Sequence, residues 1–431
     1  MLHWVQNQHP GIQVILGFLT LIIIGTVLLL LPISTPNGKT LTVTDAVFTA
    51  TSAVCVTGLI VVQTPWHFTW FGELIIMILF QTGGIGIVLG STMILLGIKG
   101  SMGLDQRFAL QDSFINWPFD KIKKTFIRVF ALFFGMEFSG ALILSWEFSK
   151  HMEWHRALWH GIFHSISAVC NAGFSVNPDS LVGYQDNPIV VFTVSVLIIF
   201  GGLGFVVIAD IWDYFEQNNK ISLHTRTMLI GTVLLLGIGT FLFMILEPNS
   251  GLLNWFFQSV TARTAGFNTV DIASWGTPAI IILMVLMFIG AGPASTAGGI
   301  KITTFLVGCA DVVSRMKQRK TVHWLNRRFP SDLVNNSIVL FSIALSTVGL
   351  STFLLTITET ASLEIILFEV FSALGTVGLS LGITMDLSMA GKWIIIALMF
   401  IGRLGPLTFA LLIINENEAN YTYPEERIMI G

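Results

Sequence analysis

Long apolar runs alternate with shorter ones that stop at a glycine. Residues 11–32, 126–148, 227–246 and 338–357 each read as a spanning helix, because about 20 apolar residues match the hydrocarbon thickness of a bilayer. After each comes a shorter helical pattern, at 44–54, 157–169, 253–263 and 363–374. A glycine and a further apolar run follow, at 70–98, at 188–212, from 278, and at 393–414. Thr42 or Thr44 with Asp45 has the form of an N-cap for the first short helix.

The short helices and their glycines are diverged copies of one unit. Aligned on glycine they read Ser52-Ala53-Val54-Cys55-Val56-Thr57-Gly58-Leu59, Ser167-Ala168-Val169-Cys170-Asn171-Ala172-Gly173-Phe174, Val260-Thr261-Ala262-Arg263-Thr264-Ala265-Gly266-Phe267 and Ser372-Ala373-Leu374-Gly375-Thr376-Val377-Gly378-Leu379. Such a unit is too short to span and ends in non-helical backbone, so it reads as a re-entrant loop. That backbone is tolerated at membrane depth only where protein buries it or water wets it. The pattern predicts an all-α integral membrane fold of four pseudo-symmetric helix–pore loop–helix repeats. It has eight transmembrane helices and four re-entrant half-helices around a central pore. The repeats are expected at 11–98, 126–217, 222–312 and 335–414, with a cytoplasmic tail at 415–431. Main-chain carbonyls in such loops can replace an ion's hydration shell, and the half-helix C-termini would aim their negative dipole ends at it. Side-chain oxygens of Thr57, Asn171, Thr264 and Thr376 are expected near the mouth.

Composition agrees with a membrane protein. Of 431 residues 53% are hydrophobic and 11% charged, against about a quarter charged in a soluble domain. The formal net charge of -3 suggests no nucleic-acid partner. The loops that join repeats hold most of the basic residues, for example Lys121, Lys123, Lys124, Arg315, Lys317, Arg327 and Arg328, while the loops inside repeats hold few, Lys39, Lys150, Arg156 and Lys392. That bias makes the inter-repeat loops and both termini cytoplasmic. Residues 1–10 lack the features of a signal peptide, so the first apolar run is expected to stay as a helix. Cys55 and Cys170 share one column of the repeats and read as small side chains behind a loop.

Glycine signatures recur in the second helices: Gly83-Gly84-Ile85-Gly86, Gly201-Gly202-Leu203-Gly204, Gly290-Ala291-Gly292-Pro293 and Gly402-Arg403-Leu404-Gly405-Pro406. The first two read as tight helix packing. The third continues as Ala294-Ser295-Thr296-Ala297-Gly298-Gly299-Ile300-Lys301, which cannot hold a straight helix. It is expected to be an intramembrane loop at 290–301 that gates the pore. Arg403, costly within a span, is expected to bond that loop's carbonyls. Arg263 is expected behind the filter with Glu369 as its partner, because a buried charge needs one. Asp45, Asp179, Asp186, Asp271, Glu359 and Asp386 fall on the outer side and read mainly as solvated charges.

His151, His155, His160 and His164 include i,i+4 pairs and raise an alternative, an intramembrane metalloenzyme. No H-E-x-x-H or G-x-S-x-G motif accompanies them. A voltage sensor would need arginine at every third position of a span, and none is present.

These motifs resemble the Trk/Ktr/HKT superfamily of potassium transporters. Three stretches are similar to its bacterial KtrB-type membrane subunits: Thr261 to Asn268, Phe288 to Lys301, and Met399 to Thr408. The resemblance covers essentially the whole chain. It implies potassium uptake across the bacterial plasma membrane, often sodium-dependent, by a homodimer with one pore per protomer and no organic cofactor in this chain. It implies Gly58, Gly173, Gly266 and Gly378 as filter glycines, Gly290 to Lys301 as the gating loop, and Arg403 facing it. The family also supplies a cytoplasmic ring of KtrA-type nucleotide-binding (RCK) subunits that binds ATP or ADP. No Walker sequence or G-x-G-x-x-G fingerprint appears here, so nucleotide control is expected from that ring, meeting the basic loops and the tail. Departures from the family are Gly292, where serine is frequent, and Ala294 and Ala297, where glycine is frequent.

Overall fold

The structure, a computed structural model, describes residues 10–97, 119–217 and 220–405. The helices are α1 (Pro10–Leu29), α2 (Val43–Val54), α3 (Trp70–Gly97), α4 (Phe119–Phe148), α5 (Trp154–Cys170), α6 (Pro188–Leu203) and α7 (Phe205–Gln217). They continue as α8 (Leu223–Leu246), α9 (Leu252–Thr261), α10 (Thr277–Phe288), α11 (Ile302–Met316), α12 (Ser331–Thr358), α13 (Leu363–Gly375) and α14 (Met389–Leu404). Between α11 and α12 a small antiparallel hairpin, β1 (His323–Trp324) and β2 (Arg327–Arg328), pairs His323 with Arg328. The expected tail, and the last expected span beyond Gly405, lie outside the described residues.

Local chemistry sets the helix starts. The Thr42 hydroxyl accepts from Asp45 N at 3.1 Å, as the expected N-cap requires. Asn187 caps α6, whose first residue is Pro188, and Ser222 and Ser388 cap α8 and α14. Among the described residues four helices are long and apolar enough to cross a membrane: Ile12–Leu29, Ile127–Phe148, Leu223–Leu246 and Ser331–Thr358. Each leaves large apolar side chains exposed, among them Val27, Phe138, Val233 and Leu350. A lipid solvent accepts such a face.

Of the second helices, that of the second repeat departs from the expected continuous span. The run expected over 188–212 breaks at Gly204, and α6 and α7 meet at a bend of 94°. The run from 278 stops at Phe288 and resumes as a helix only at Ile302. Among the described residues four helices therefore qualify as spans, or five if the bent pair counts as one. Close packing does account for Gly83 and Gly201: a Cβ there would strike the carbonyls of Val54 and Val169. Gly204 does more than pack closely, since it also turns the chain at φ +89°. The broken backbone survives because its polar groups find partners in the neighbouring loop.

Packing runs in a ring. α3 packs on α5, α6 on α9, α10 on α13, and α14 on α2. Each junction has its own apolar cluster. Phe80 meets Phe163 and Phe174 at the first, and Val194 lies with Phe257 and Phe267 at the second. Leu283 joins Phe368 and Leu379 at the third, and Phe48 and Leu59 join Val370 and Met399 at the fourth. The fourth joins the two ends of the chain, and there Lys392 Nζ lies 2.7 Å from Asp45 Oδ1, with both side chains mostly buried. Replacing Lys392 with Met leaves Asp45 uncompensated and is expected to cost on the order of 1–3 kcal/mol. Thermal unfolding in detergent measures this, and Asp45→Asn on top of Lys392→Met should recover part of the loss.

Candidate ion pathway

Each of α2, α5, α9 and α13 ends in a turn built the same way. Two residues before the glycine stands a left-handed residue, Val56, Asn171, Thr264 or Thr376, with φ of 57°, 57°, 72° and 48°. The glycines Gly58, Gly173, Gly266 and Gly378 follow with φ of 89°, 69°, 77° and 94°. A β-branched residue such as Val56 rarely adopts that region, and strain of this kind concentrates at functional sites.

The four glycines close on one another. A Cβ on Gly58 would lie 2.5 Å from Ala172 O and 3.1 Å from Gly173 Cα. One on Gly173 would lie 2.7 Å from Ala265 O and 3.1 Å from Gly266 Cα. Gly266 stands likewise against Val377 O and Gly378, and Gly378 against Thr57 O and Gly58. The series returns to its start. Side chains are thus excluded at all four positions, and the carbonyl before each glycine faces the preceding glycine around the cycle.

Serines brace the turns from behind. Ser52 Oγ donates to Leu59 O at 2.7 Å and accepts from Gly58 N at 3.1 Å. Ser167 Oγ donates to Phe174 O at 2.9 Å, and Ser372 Oγ accepts from Gly378 N at 3.1 Å. Sequence reading passed over these serines, although they head three of the four aligned segments; the third has Val260 in that column. The hydroxyls of Thr57, Thr264 and Thr376 are buried and have no hydrogen-bond partner within the protein. Asn171 differs from expectation. With its amide turned to donate, it reaches Ala168 O at 2.9 Å and Ile198 O at 3.2 Å, so the side chain is tied behind the turn.

Residues 290–301 pass alongside this quartet. Gly290 N donates to Ile300 O at 2.8 Å and Ile302 N to Ala291 O at 3.1 Å, which pins the two ends of the loop together. Inside it, Ser295 Oγ donates to Gly292 O at 2.7 Å and Ala297 N to Ser295 Oγ at 3.2 Å. Lys301 Nζ donates to Ala297 O at 2.7 Å. A Cβ on Gly298 would collide with the Thr376 side chain, and one on Gly299 would sit 3.3 Å from Gly375 Cα. On the α6 side, Pro293 O lies 2.5 Å from where a Gly204 Cβ would be. Arg403 donates through one terminal nitrogen to Thr296 O and through the other to Gly83 O at 3.0 Å, the kind of bond expected of it. It thereby ties the loop to α3 as well as α14.

Two further expectations are corrected. Arg263 forms no ion pair with Glu369; its guanidinium reaches Thr232 O at 3.4 Å and Thr232 Oγ1 at 3.5 Å. Glu369 accepts instead from Ser380 Oγ at 2.8 Å and Thr384 Oγ1 at 2.5 Å, bracing the segment that leaves the fourth turn. Three of the outer acids have structural partners: Asp45 pairs with Lys392, Asp271 caps Ala273 N, and Glu359 accepts from Ser388. Cys170 Sγ donates to Gln81 Oε1 at 2.9 Å and is not bonded to Cys55.

His160 and His164 are held by structural hydrogen bonds. His164 is held by His160 O at 2.7 Å and Ser175 Oγ at 2.9 Å, and His160 by Asn177 Oδ1 at 2.9 Å. His151 lies edge-on to Tyr184, and His155 is exposed beside Glu153. Among the described residues no group of three or more His, Cys, Asp or Glu is placed to hold a metal ion.

The profile of the family described as "TrkH: Cation transport protein" matches residues 5–247 and 227–423. The chain belongs to the TrkH cation transport family. Within it the chain is KtrB-type. It is 41% identical over its whole length to the Ktr system potassium uptake protein B of Bacillus subtilis, covering 98% of that protein. It is 39% identical over 97% of its length to the protein of the same name from Vibrio alginolyticus, covering 94% of that one. It is also 39% identical over 99% of its length to the potassium/sodium uptake protein NtpJ of Enterococcus hirae, covering 98% of it. Among solved structures, the potassium transporter TrkH from Vibrio parahaemolyticus shares the fold with a TM-score of 0.76 at 21% identity, over 95% of this chain and 86% of that one. The chain is therefore a multi-pass membrane transporter of the TrkH family and not an enzyme.

The serine brace has a measurable consequence in this TrkH-family protein. Ser52→Ala strips Gly58 N and Leu59 O of their shared partner, which is expected to cost about 1–3 kcal/mol. Thermal unfolding of the purified variant tests this, with Ser165→Ala as a control that removes a hydroxyl bond to Glu137 O away from the turns.

Proposed function

We propose that this protein takes up potassium across the bacterial plasma membrane through a selectivity filter made by its four glycine turns. The observation that carries the reading is the closed cycle of glycines, with a main-chain carbonyl beside each. Four carbonyls converging on one axis supply the oxygens that a dehydrated alkali ion needs. The residues assigned to the filter are Val56, Thr57, Gly58, Asn171, Ala172, Gly173, Thr264, Ala265, Gly266, Thr376, Val377 and Gly378. The C-termini of the short helices α2, α5, α9 and α13 run into these turns and add negative potential there. Four pseudo-symmetric repeats with eight crossings, both termini cytoplasmic, complete the architecture.

The loop from Gly290 to Lys301 is the gate, and Arg403 is its clasp. The loop lies against the fourth turn at Thr376, and Arg403 bonds its carbonyl at Thr296. The relatives' names supply the substrate: two are potassium uptake proteins and one a potassium/sodium uptake protein. Sodium is accordingly assigned as a co-transported or activating ion. The membrane unit is a homodimer, and a KtrA-type ring that binds ATP or ADP controls it from the cytoplasm.

Rescue of a potassium-uptake-deficient bacterium tests the substrate. The wild-type chain with a ring subunit should restore growth at low potassium, while Gly378→Ser, whose added atoms strike Thr57 O, should not. Growth of the serine variant at the wild-type rate, with potassium still selected over sodium, would falsify the filter assignment.

The clasp has its own test. Arg403→Ala removes charge-assisted hydrogen bonds worth about 1.5–3 kcal/mol, so flux in vesicles is expected to rise roughly tenfold or more. Reduced flux with no leak would assign Arg403 to packing alone. Transport by the chain without a ring should be insensitive to ATP, and ATP dependence of the pure chain would remove the partner.

A further inference from the structure

The 94° bend at Gly204 deprives the last carbonyls of α6 of the amides that a continuous helix brings to them. The loop supplies substitutes. Gly292 N donates to Gly202 O at 2.9 Å and Thr296 N to Gly201 O at 3.3 Å. In return Phe205 N, the first amide of α7, donates to Ala294 O at 3.1 Å. In an unbroken helix Phe205 N would donate to Gly201 O, four residues back. The loop thus stands where a turn of α6–α7 would otherwise close on itself.

The two backbones fit without room for side chains. A Cβ on Gly204 would come to 2.5 Å from Pro293 O, and one on Gly292 to 2.5 Å from Leu203 O. Thr296 Oγ1 donates to Val169 O at 3.1 Å, which ties the same contact to α5 just before the turn at Asn171. Ala294, at φ +52°, holds a conformation that alanine rarely adopts on its own.

We propose that the elbow at Gly204 and the loop form one two-state latch. The loop closes the pathway only while α6 and α7 are bent, and the two helices join into one when it withdraws. Withdrawal without that change would cost Gly201 O, Gly202 O and Phe205 N the protein partners that the loop gives them. Joining α6 to α7 gives Phe205 N back to Gly201 O. Gly201, Gly202 and Gly204 are in this reading positioning residues for the gate. The proposal rests on the assignment of the loop as the gate.

Potassium flux into vesicles holding the full-length protein, without a ring subunit, tests it from both sides of the contact. Gly204→Ala and Gly292→Ala place a methyl group against backbone and should weaken the bent state. Both are expected to raise flux, as deletion of 294–298 should. Thr296→Val keeps the side chain's shape and loses only the bond to Val169 O, so a rise of about fivefold is expected. Spin labels at Phe192→Cys and Phe215→Cys, exposed on α6 and α7, in a Cys309→Ser background, should move apart in the deletion protein as the elbow opens. If deletion raises flux while the three substitutions leave it at the wild-type level, the latch is wrong and the gate stands. An unchanged label separation in a deletion protein with raised flux also overturns the latch. If deletion leaves flux unchanged, the gate and the latch fall together.

Discussion

Main-chain amides and carbonyls at membrane depth must find partners inside the protein, and the structure depends on how that demand is met. The four turns and the 290–301 loop are non-helical backbone in a fold that is otherwise helical. Each is satisfied by a device of its own. The turns bond back to their own short helices: Thr57 N reaches Ser52 O, Ala172 N reaches Ser167 O, and Val377 N reaches Ser372 O. The loop is satisfied partly by itself and partly by carbonyls that the break in α6 exposes. A second irregularity is thus the condition for the first. In water the same segments could have stayed open.

Ring closure follows from the same economy of partners. Consecutive units are joined by chain, but the first and last are not. Their contact rests on apolar packing of α14 against α2, on the Asp45–Lys392 pair and on Arg403 reaching Gly83 O. Arg403 therefore works in two directions, toward the loop and toward the closing seam. That dual role explains how a cation can be buried in an apolar helix: its terminal nitrogens bond carbonyls rather than an acid, and a peptide carbonyl can neutralise part of a guanidinium's demand without a second desolvated charge.

The core is correspondingly distributed. Here each junction holds its own apolar cluster, and the four turns meet through glycine and main-chain carbonyl. The large side chains are packed away from that meeting of glycines. That separation lets the carbonyl before each glycine stand against a glycine of the neighbouring turn with no side chain between them.

Much of this was legible in the residues. The lengths of the apolar runs, the four copies of one glycine-ended motif and the break at 290–301 are properties of local sequence, because spanning length and glycine chemistry act within a few turns. The short helices fall within a few residues of their expected bounds, and the N-cap at Thr42 is where the hydroxyl predicts it. Partner choice was not legible. Arg263 turned to Thr232 and Glu369 to Ser380 and Thr384, because which buried groups meet depends on side chains brought together from distant positions. The first two glycine signatures read as packing, and Gly83 and Gly201 agree; Gly204 became an elbow as well because the loop was there to receive the exposed carbonyls. A glycine in sequence says that backbone can bend or approach closely. Which of the two it does is decided by what lies opposite it in three dimensions.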